Sequence, residues 1–230
     1  MKAMILAAGL GNRMRPLTLH TPKPLLEVGG KALIVWHIEK LQKIGVTEIV
    51  INTAWLGDKL VTALGDGSQF GVQILWSHEG EGLETAGGII HALPLLGDAP
   101  FILVNGDVWT TMDFSSLLNV QLEDKQAHLI LVENPPQHVQ GDFILKQGLA
   151  YTFEQAQLGE ALTYSGIAVL NPEMFTGLEQ GKRPLAPLLK QAMQQQQVSA
   201  EKMQAIWVDV GTPERLAQLD QQIKQGSFSF

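Results

Sequence analysis

The sequence predicts a three-layer α/β fold on a mainly parallel sheet, and three observations carry that reading. Short apolar runs rich in valine, isoleucine and leucine recur along the 230 residues. The runs are continuously apolar rather than alternating, the pattern of strands covered on both faces. Segments with helical spacing lie between them, and strand–helix alternation places helices on both sides of a sheet.

The expected strands are Met4-Ile5-Leu6, Ile49-Val50-Ile51, Phe101-Ile102-Leu103-Val104, Leu129-Ile130-Leu131-Val132, Ile167-Ala168-Val169-Leu170 and Ile206-Trp207-Val208. Ile34, Ile38, Leu41 and Ile44 recur at helical spacing, with Gly45 as C-cap. Thr85 is placed to cap a helix carrying Ile89, Ile90 and Leu93. Thr212 then Pro213 predicts an N-cap and a first-turn proline ahead of Leu216, Leu219 and Ile223. From about Gln137 to Leu170 helical periodicity fades. Extended pieces around Phe143–Leu145 and Tyr151–Phe153 predict a small, partly antiparallel insertion forming the second wall of a cleft. Gln194 to Gln197 reads as a solvated helix end.

Composition narrows the function. Hydrophobic residues make up 45% and charged residues 17%, as in ordinary globular chains. A formal charge of −7 and a pI near 5.3 leave no cationic excess to displace counterions from nucleic acid, so a polyanionic ligand needs a local basic pocket. The absence of cysteine removes disulfides, thiol nucleophiles, thiolate zinc and iron–sulfur clusters, and fits a cytoplasmic protein. No apolar stretch reaches the ~18–20 residues of a membrane helix. Ala3–Gly9 resembles a signal peptide only superficially: one lysine precedes it and Arg13 and Arg15 follow at once, so it reads as a buried strand.

The most informative segment runs from Leu6 to Thr18, Leu-Ala-Ala-Gly-Leu-Gly-Asn-Arg-Met-Arg-Pro-Leu-Thr. A buried strand leads into Gly9 and Gly11, which let backbone N–H groups approach an anion. Arg13 and Arg15 add planar multidentate donors suited to phosphate. Lys23 follows between Pro22 and Pro24 on a stiffened loop. The loop lacks the Gly-Lys-Ser/Thr ending of a P-loop. Met14 stands where the dinucleotide fingerprint needs its third glycine, which disfavours an NAD-dependent oxidoreductase.

Two aspartates end apolar runs: Asp107 after Phe101–Gly106 and Asp209 after Ile206–Val208. Strand-end carboxylates lie where open α/β sheets place ligands, and such a pair suits Mg²⁺. Each could instead be a helix cap, although Thr212 is the better cap and leaves Asp209 available. Asp58, Asp66 and Asp98 read as turn formers. Trp36, Trp55 and Trp76 read as packing residues, His37 as a satisfied buried histidine, and Met193 and Met203 as gap fillers.

The loop motif with Pro22-Lys23-Pro24 resembles the signature of the sugar-1-phosphate nucleotidylyltransferases. The likeness continues through Glu79–Gly88, Val104-Asn105-Gly106-Asp107 and Trp207–Thr212. It implies a Rossmann-like three-layer nucleotidyltransferase fold with a small sugar-binding insertion. Many relatives carry a C-terminal left-handed β-helix, and this length leaves no room for one. The implied organisation is one domain over 1–230, with a nucleotide-binding part at about 1–110, a sugar-binding part at about 111–205, and a metal-ligand strand and helix at about 206–230. The implied substrates are UTP and a sugar 1-phosphate. Glu79-Gly-Glu-x-Leu-Glu-Thr and Val104-Asn-Gly-Asp-Val-Trp-Thr point to N-acetylmuramate α-1-phosphate. Mannose 1-phosphate with GTP, and glucose 1-phosphate with dTTP or UTP, are the alternatives. A further one is a non-catalytic, sugar-nucleotide-binding regulatory homologue. No nucleic acid or membrane partner is expected, and the protein should be a monomer or small homo-oligomer.

In that chemistry Arg13 steadies the β- and γ-phosphates and the departing pyrophosphate, and Lys23 neutralises the α-phosphate and sugar phosphate. Mg²⁺ falls to Asp107 and Asp209. Nucleotide contacts fall to Leu6, Ala8, Gly9, Gly11, Asn12, Arg13, Lys23, Glu79, Gly80, Thr85 and Gly106. Glycines 80, 82, 87 and 88 suggest close approach to a base edge. The sugar falls to Asn105, Gly141, Asp142, Glu154 and Ser165, and a lactyl carboxylate to Lys182 or Arg183.

Overall fold

The computed structural model describes residues 1–156 and 158–228. Its strands are β1 (Ala3–Leu6), β2 (Glu27–Val28), β3 (Lys31–Ala32), β4 (Glu48–Thr53), β5 (Gln73–His78), β6 (Phe101–Asn105), β7 (Val108–Thr110), β8 (Ala127–Val132), β9 (Phe143–Lys146), β10 (Leu149–Tyr151), β11 (Glu160–Leu170), β12 (Val198–Lys202) and β13 (Trp207–Asp209). The helices are α1 (Leu33–Lys43), α2 (Gly57–Leu64), α3 (Glu84–Leu96), α4 (Ala186–Gln194) and α5 (Pro213–Lys224).

One nine-stranded sheet, ordered β5-β4-β1-β6-β11-β8-β12-β10-β9, runs through the molecule. The β5-β4-β1-β6 half is parallel throughout. β11 is antiparallel to both β6 and β8, and β9 and β10 pair antiparallel, as expected of the insertion. Burial alternates in register. Ile5, Ile49, Ile51, Ile102 and Val104 pack on the α1 and α2 side. Met4, Val50, Phe101 and Leu103 pack on the α3 and α4 side. Two cores explain why these strands read as continuously apolar.

Several local readings hold. Gly45 follows α1 with φ +82°, and Thr212 Oγ1 accepts from Arg215 N at 3.3 Å with Pro213 opening α5. Met193 and Met203 fill core positions. Others change. The Ile206–Val208 run does not enter the main sheet: β13 pairs antiparallel with β7 as a separate two-stranded ladder. Thr85 does not cap α3. It lies in the first turn, and no side chain caps that end. Asp58 sits in the first turn of α2 rather than in a loop. His37 is only half satisfied: Nε2 bonds Val108 O at 2.8 Å while Nδ1 has no partner among the described residues.

Candidate active site

The loop after β1 enters a cavity of about 470 Å³ lined by Leu6, Ala8, Gly9, Gly11, Asn12, Arg13, Lys23, Glu79, Thr85, Asn105 and Asp107, among others. Gly11 adopts φ +61°, and a Cβ there would lie 2.9 Å from Thr18 Cγ2. Thr18 Oγ1 donates to Gly11 O at 2.8 Å and holds the turn closed. A second cavity of about 380 Å³ is lined by Arg13, Asn105, Asp107, Asp142, Ser165, Trp207 and Asp209 among others. Arg13, Asn105 and Asp107 line both, so the two spaces form one cleft.

The aspartates meet because β7 and β13 pair. Asp209 sits opposite Val108, and Val210 N donates to Asp107 O at 3.1 Å. Lys23, 8% exposed, donates from Nζ to Asp107 Oδ2 at 2.7 Å. Arg215 Nη1 donates to Asp209 Oδ2 at 2.5 Å and to Asp209 O at 3.0 Å. Each carboxylate thus has one oxygen held by a cation of the chain. Among the described residues no group of three or more His, Asp or Glu could hold a metal. Two hard carboxylates on the wall of one cleft match Mg²⁺, which takes one or two carboxylates and fills its shell with phosphate oxygens and water. The donor set therefore fits the expected ion.

A polar bridge that sequence reasoning missed ties the loop to the β5–α3 segment. Asn52, at the end of β4, accepts from Ala7 N at 2.7 Å and donates to Glu79 Oε1 at 2.6 Å. Glu79 Oε2 accepts from Leu83 N at 2.9 Å. Both Glu79 oxygens have partners within the protein, so Glu79 ties the loop together while it also lines the first cavity. The signal was present: Asn52 is a polar residue closing a buried strand.

Some expected residues lie elsewhere or do other work. Glu154 is in an exposed turn after β10, outside both cavity walls, and Gly80 is likewise off the walls. Gly106 packs on β1, where a Cβ would lie 2.6 Å from Leu6 O. Gly141 packs against Asn134 and Leu162, next to the wall residue Asp142. Ser165 lines the second cavity, but its hydroxyl donates to Ile130 O at 2.6 Å and accepts from Ile167 N at 3.1 Å. It braces the irregularity in β11 between Tyr164 and Ile167. Arg15 is exposed and off the walls. Lys182 pairs with exposed Glu81 at 3.6 Å, and Arg183 bonds Leu83 and Gly87 through its backbone; neither lines either of these two cavities. Gly87 and Gly88 do serve close approach, but to the protein itself. A Cβ at 88 would lie 2.5 Å from Glu79 Oε1, and one at 87 would strike Gly181 O.

A nucleotidyl transferase family model matches residues 2–226. The chain belongs to the nucleotidyl transferase family. Curated relatives of this nucleotidyl transferase include N-acetylmuramate alpha-1-phosphate uridylyltransferase from Neisseria meningitidis, 54% identical and covering 94% of this chain and 95% of that protein. The protein of the same name from Caulobacter vibrioides is 34% identical over 92% of each. Mannose-1-phosphate guanyltransferase beta-A of Xenopus laevis is 30% identical over 93% of this chain and 62% of its own length. A Bacillus anthracis structure described as a glucose-1-phosphate thymidylyltransferase superposes with a TM-score of 0.85 at 21% identity, over 100% of this chain and 97% of that one. That likeness concerns the fold. No helix among the described residues is long and apolar enough to cross a membrane.

Proposed function

We propose that this nucleotidyl transferase moves a uridylyl group from UTP to N-acetylmuramate α-1-phosphate, giving UDP-N-acetylmuramate and pyrophosphate, as a cytoplasmic step of peptidoglycan recycling. The observation that carries the chemistry is the convergence of Arg13, Lys23, Asp107 and Asp209 on one two-lobed cleft. The 54% identity to a uridylyltransferase along nearly the whole chain supports the substrate pair.

A sugar phosphate oxygen attacks the α-phosphorus of UTP. The bond to the bridging oxygen breaks, and its electron pair leaves with pyrophosphate. The nucleophile is already an anion, so no general base is required, and the barrier lies in bringing polyanions together. UTP fits the larger cavity, with its phosphates against the Gly9–Arg13 loop and its base against the segment that Asn52 and Glu79 hold. The sugar fits the smaller one, beside Asn105 and Asp142. Arg13, common to both walls, meets the phosphates where the two substrates join. Lys23 is placed to offset charge on the α-phosphate. Asp107 and Asp209 would hold Mg²⁺, which supplies positive charge to the phosphate oxygens when bound.

The test is pyrophosphate release across four nucleoside triphosphates crossed with N-acetylmuramate, glucose, N-acetylglucosamine and mannose 1-phosphates. UTP with the muramyl sugar should give the highest kcat/KM. Preference for GTP with mannose 1-phosphate would replace this substrate pair and keep the chemistry. Tight UTP binding with no turnover at any Mg²⁺ concentration would leave a regulatory binding protein.

A further inference from the structure

The two aspartates are not bare carboxylates waiting for an ion. Asp107 Oδ2 is held by Lys23 Nζ at 2.7 Å, and Asp209 Oδ2 by Arg215 Nη1 at 2.5 Å. In each the other oxygen, Oδ1, is outside the pair. Arg215 is built into this position. It stands in the first turn of α5, where its own N–H donates to the cap Thr212 Oγ1 at 3.3 Å. Its guanidinium also donates to the Asp209 carbonyl at 3.0 Å, so it grips backbone and side chain of one residue together. Gly211 makes room: a Cβ there would lie 3.0 Å from Asp209 Oδ2 and 3.1 Å from Arg215 Nη2. The pair is only about a quarter exposed on either side, which limits screening.

We infer that Arg215 is a positioning residue that sets ion selectivity: by holding Oδ2 of Asp209 it leaves one oxygen for the metal and favours Mg²⁺ over Ca²⁺. This rests on Asp107 and Asp209 being the metal carboxylates. Calcium takes six to eight oxygens at ~2.3–2.6 Å and accepts bidentate carboxylates; magnesium takes six at ~2.0–2.1 Å, with waters and phosphates among them. A carboxylate with one oxygen already engaged by a guanidinium is a one-oxygen ligand. The analogous Lys23–Asp107 pair limits the other ligand in the same way. Arginine suits the task because its charge is permanent, and here its Nη1 reaches the carbonyl and the carboxylate of Asp209 together.

The experiment is equilibrium dialysis of ⁴⁵Ca²⁺ on full-length protein saturated with α,β-methylene-UTP, displaced by Mg²⁺, so the readout is ion binding rather than turnover. Arg215→Met should tighten Ca²⁺ binding and raise the Mg²⁺ concentration needed for half-displacement by about tenfold. Arg215→Lys, which can still donate to Oδ2, should restore part of the preference. Thr212→Ala weakens the same helix end while keeping the guanidinium, and its ion preference should match wild type. Equal Mg²⁺ preference in wild type and Arg215→Met overturns the role of Arg215 and spares the metal ligands. An altered preference in Thr212→Ala equal to that of Arg215→Met would assign the effect to the helix end and overturn it too. Failure of wild type to bind either ion with any triphosphate overturns the metal assignment itself, and this role with it.

Discussion

Lys23 is a nearly buried ammonium whose partner is a cleft carboxylate, and Pro22 and Pro24 fix the backbone on both sides of it. Charge placed in advance costs no reorganisation during reaction, and loss of one such group commonly costs ~10²–10³ in rate. Lys23→Ala should lower kcat by about that factor in steady-state assays, and also leaves Asp107 without its cation. Tyr164 offers the opposite case. Its hydroxyl is buried without a partner among the described residues, and burial pushes its ionisation well above the usual phenol range. An unpartnered hydroxyl has already lost its water, so Tyr164→Phe should leave stability within about 0.5 kcal/mol of wild type or raise it. Urea unfolding checks this; a loss of several kcal/mol would mean the hydroxyl has a partner.

At the scale of elements, the cleft depends on bridges between strand ends. Asn52 joins the loop after β1 to the segment before α3 through Ala7 and Glu79. Asn52→Ala removes both bonds and leaves Glu79 Oε1 without its donor, a cost of ~1–3 kcal/mol in a partly buried setting. The expected result is a raised KM for UTP with a smaller change for the sugar phosphate, measured by varying each substrate in turn. Equal effects on both would show that the bridge serves overall stability instead. The α3 glycines belong to the same construction. Gly88→Ala puts a methyl against Glu79 and Asn52, so it should reproduce the Asn52→Ala phenotype.

The whole molecule carries a pH liability in His37. Burial pushes its pKa down to about 4 from 6.5, its bond to Val108 opposing the shift. Above 6.5 both folded and unfolded states hold it neutral, so it contributes no pH dependence. As pH falls below 6.5 the unfolded chain takes the proton first, and stability drops until about 4. The full effect is about 3 kcal/mol. His37 also stacks parallel to Phe114 and bonds Val108, the residue opposite Asp209, so the buried imidazole sits beside the β7–β13 ladder. Denaturation midpoints between pH 7 and 4.5 should fall in wild type and fall less in His37→Gln. Parallel curves would assign the acid sensitivity to other groups.

Strands β1, β4, β6 and β8 were legible because they are buried on both faces, so composition alone marked them. The loop after β1 was legible because Gly11, Arg13 and Lys23 are chemically conspicuous and close in sequence. Glu154, Lys182 and Arg183 lie off both cavity walls, since charge alone does not say which way a surface loop faces. Sequence by itself thus determined the layers, the loop and the pair of strand-end aspartates. The β7–β13 pairing, the Asn52 bridge and the hold of Arg215 on Asp209 were decided only in three dimensions. Each joins segments or side chains whose meeting depends on packing around them, and a linear pattern records what a residue can bond but not what it will face.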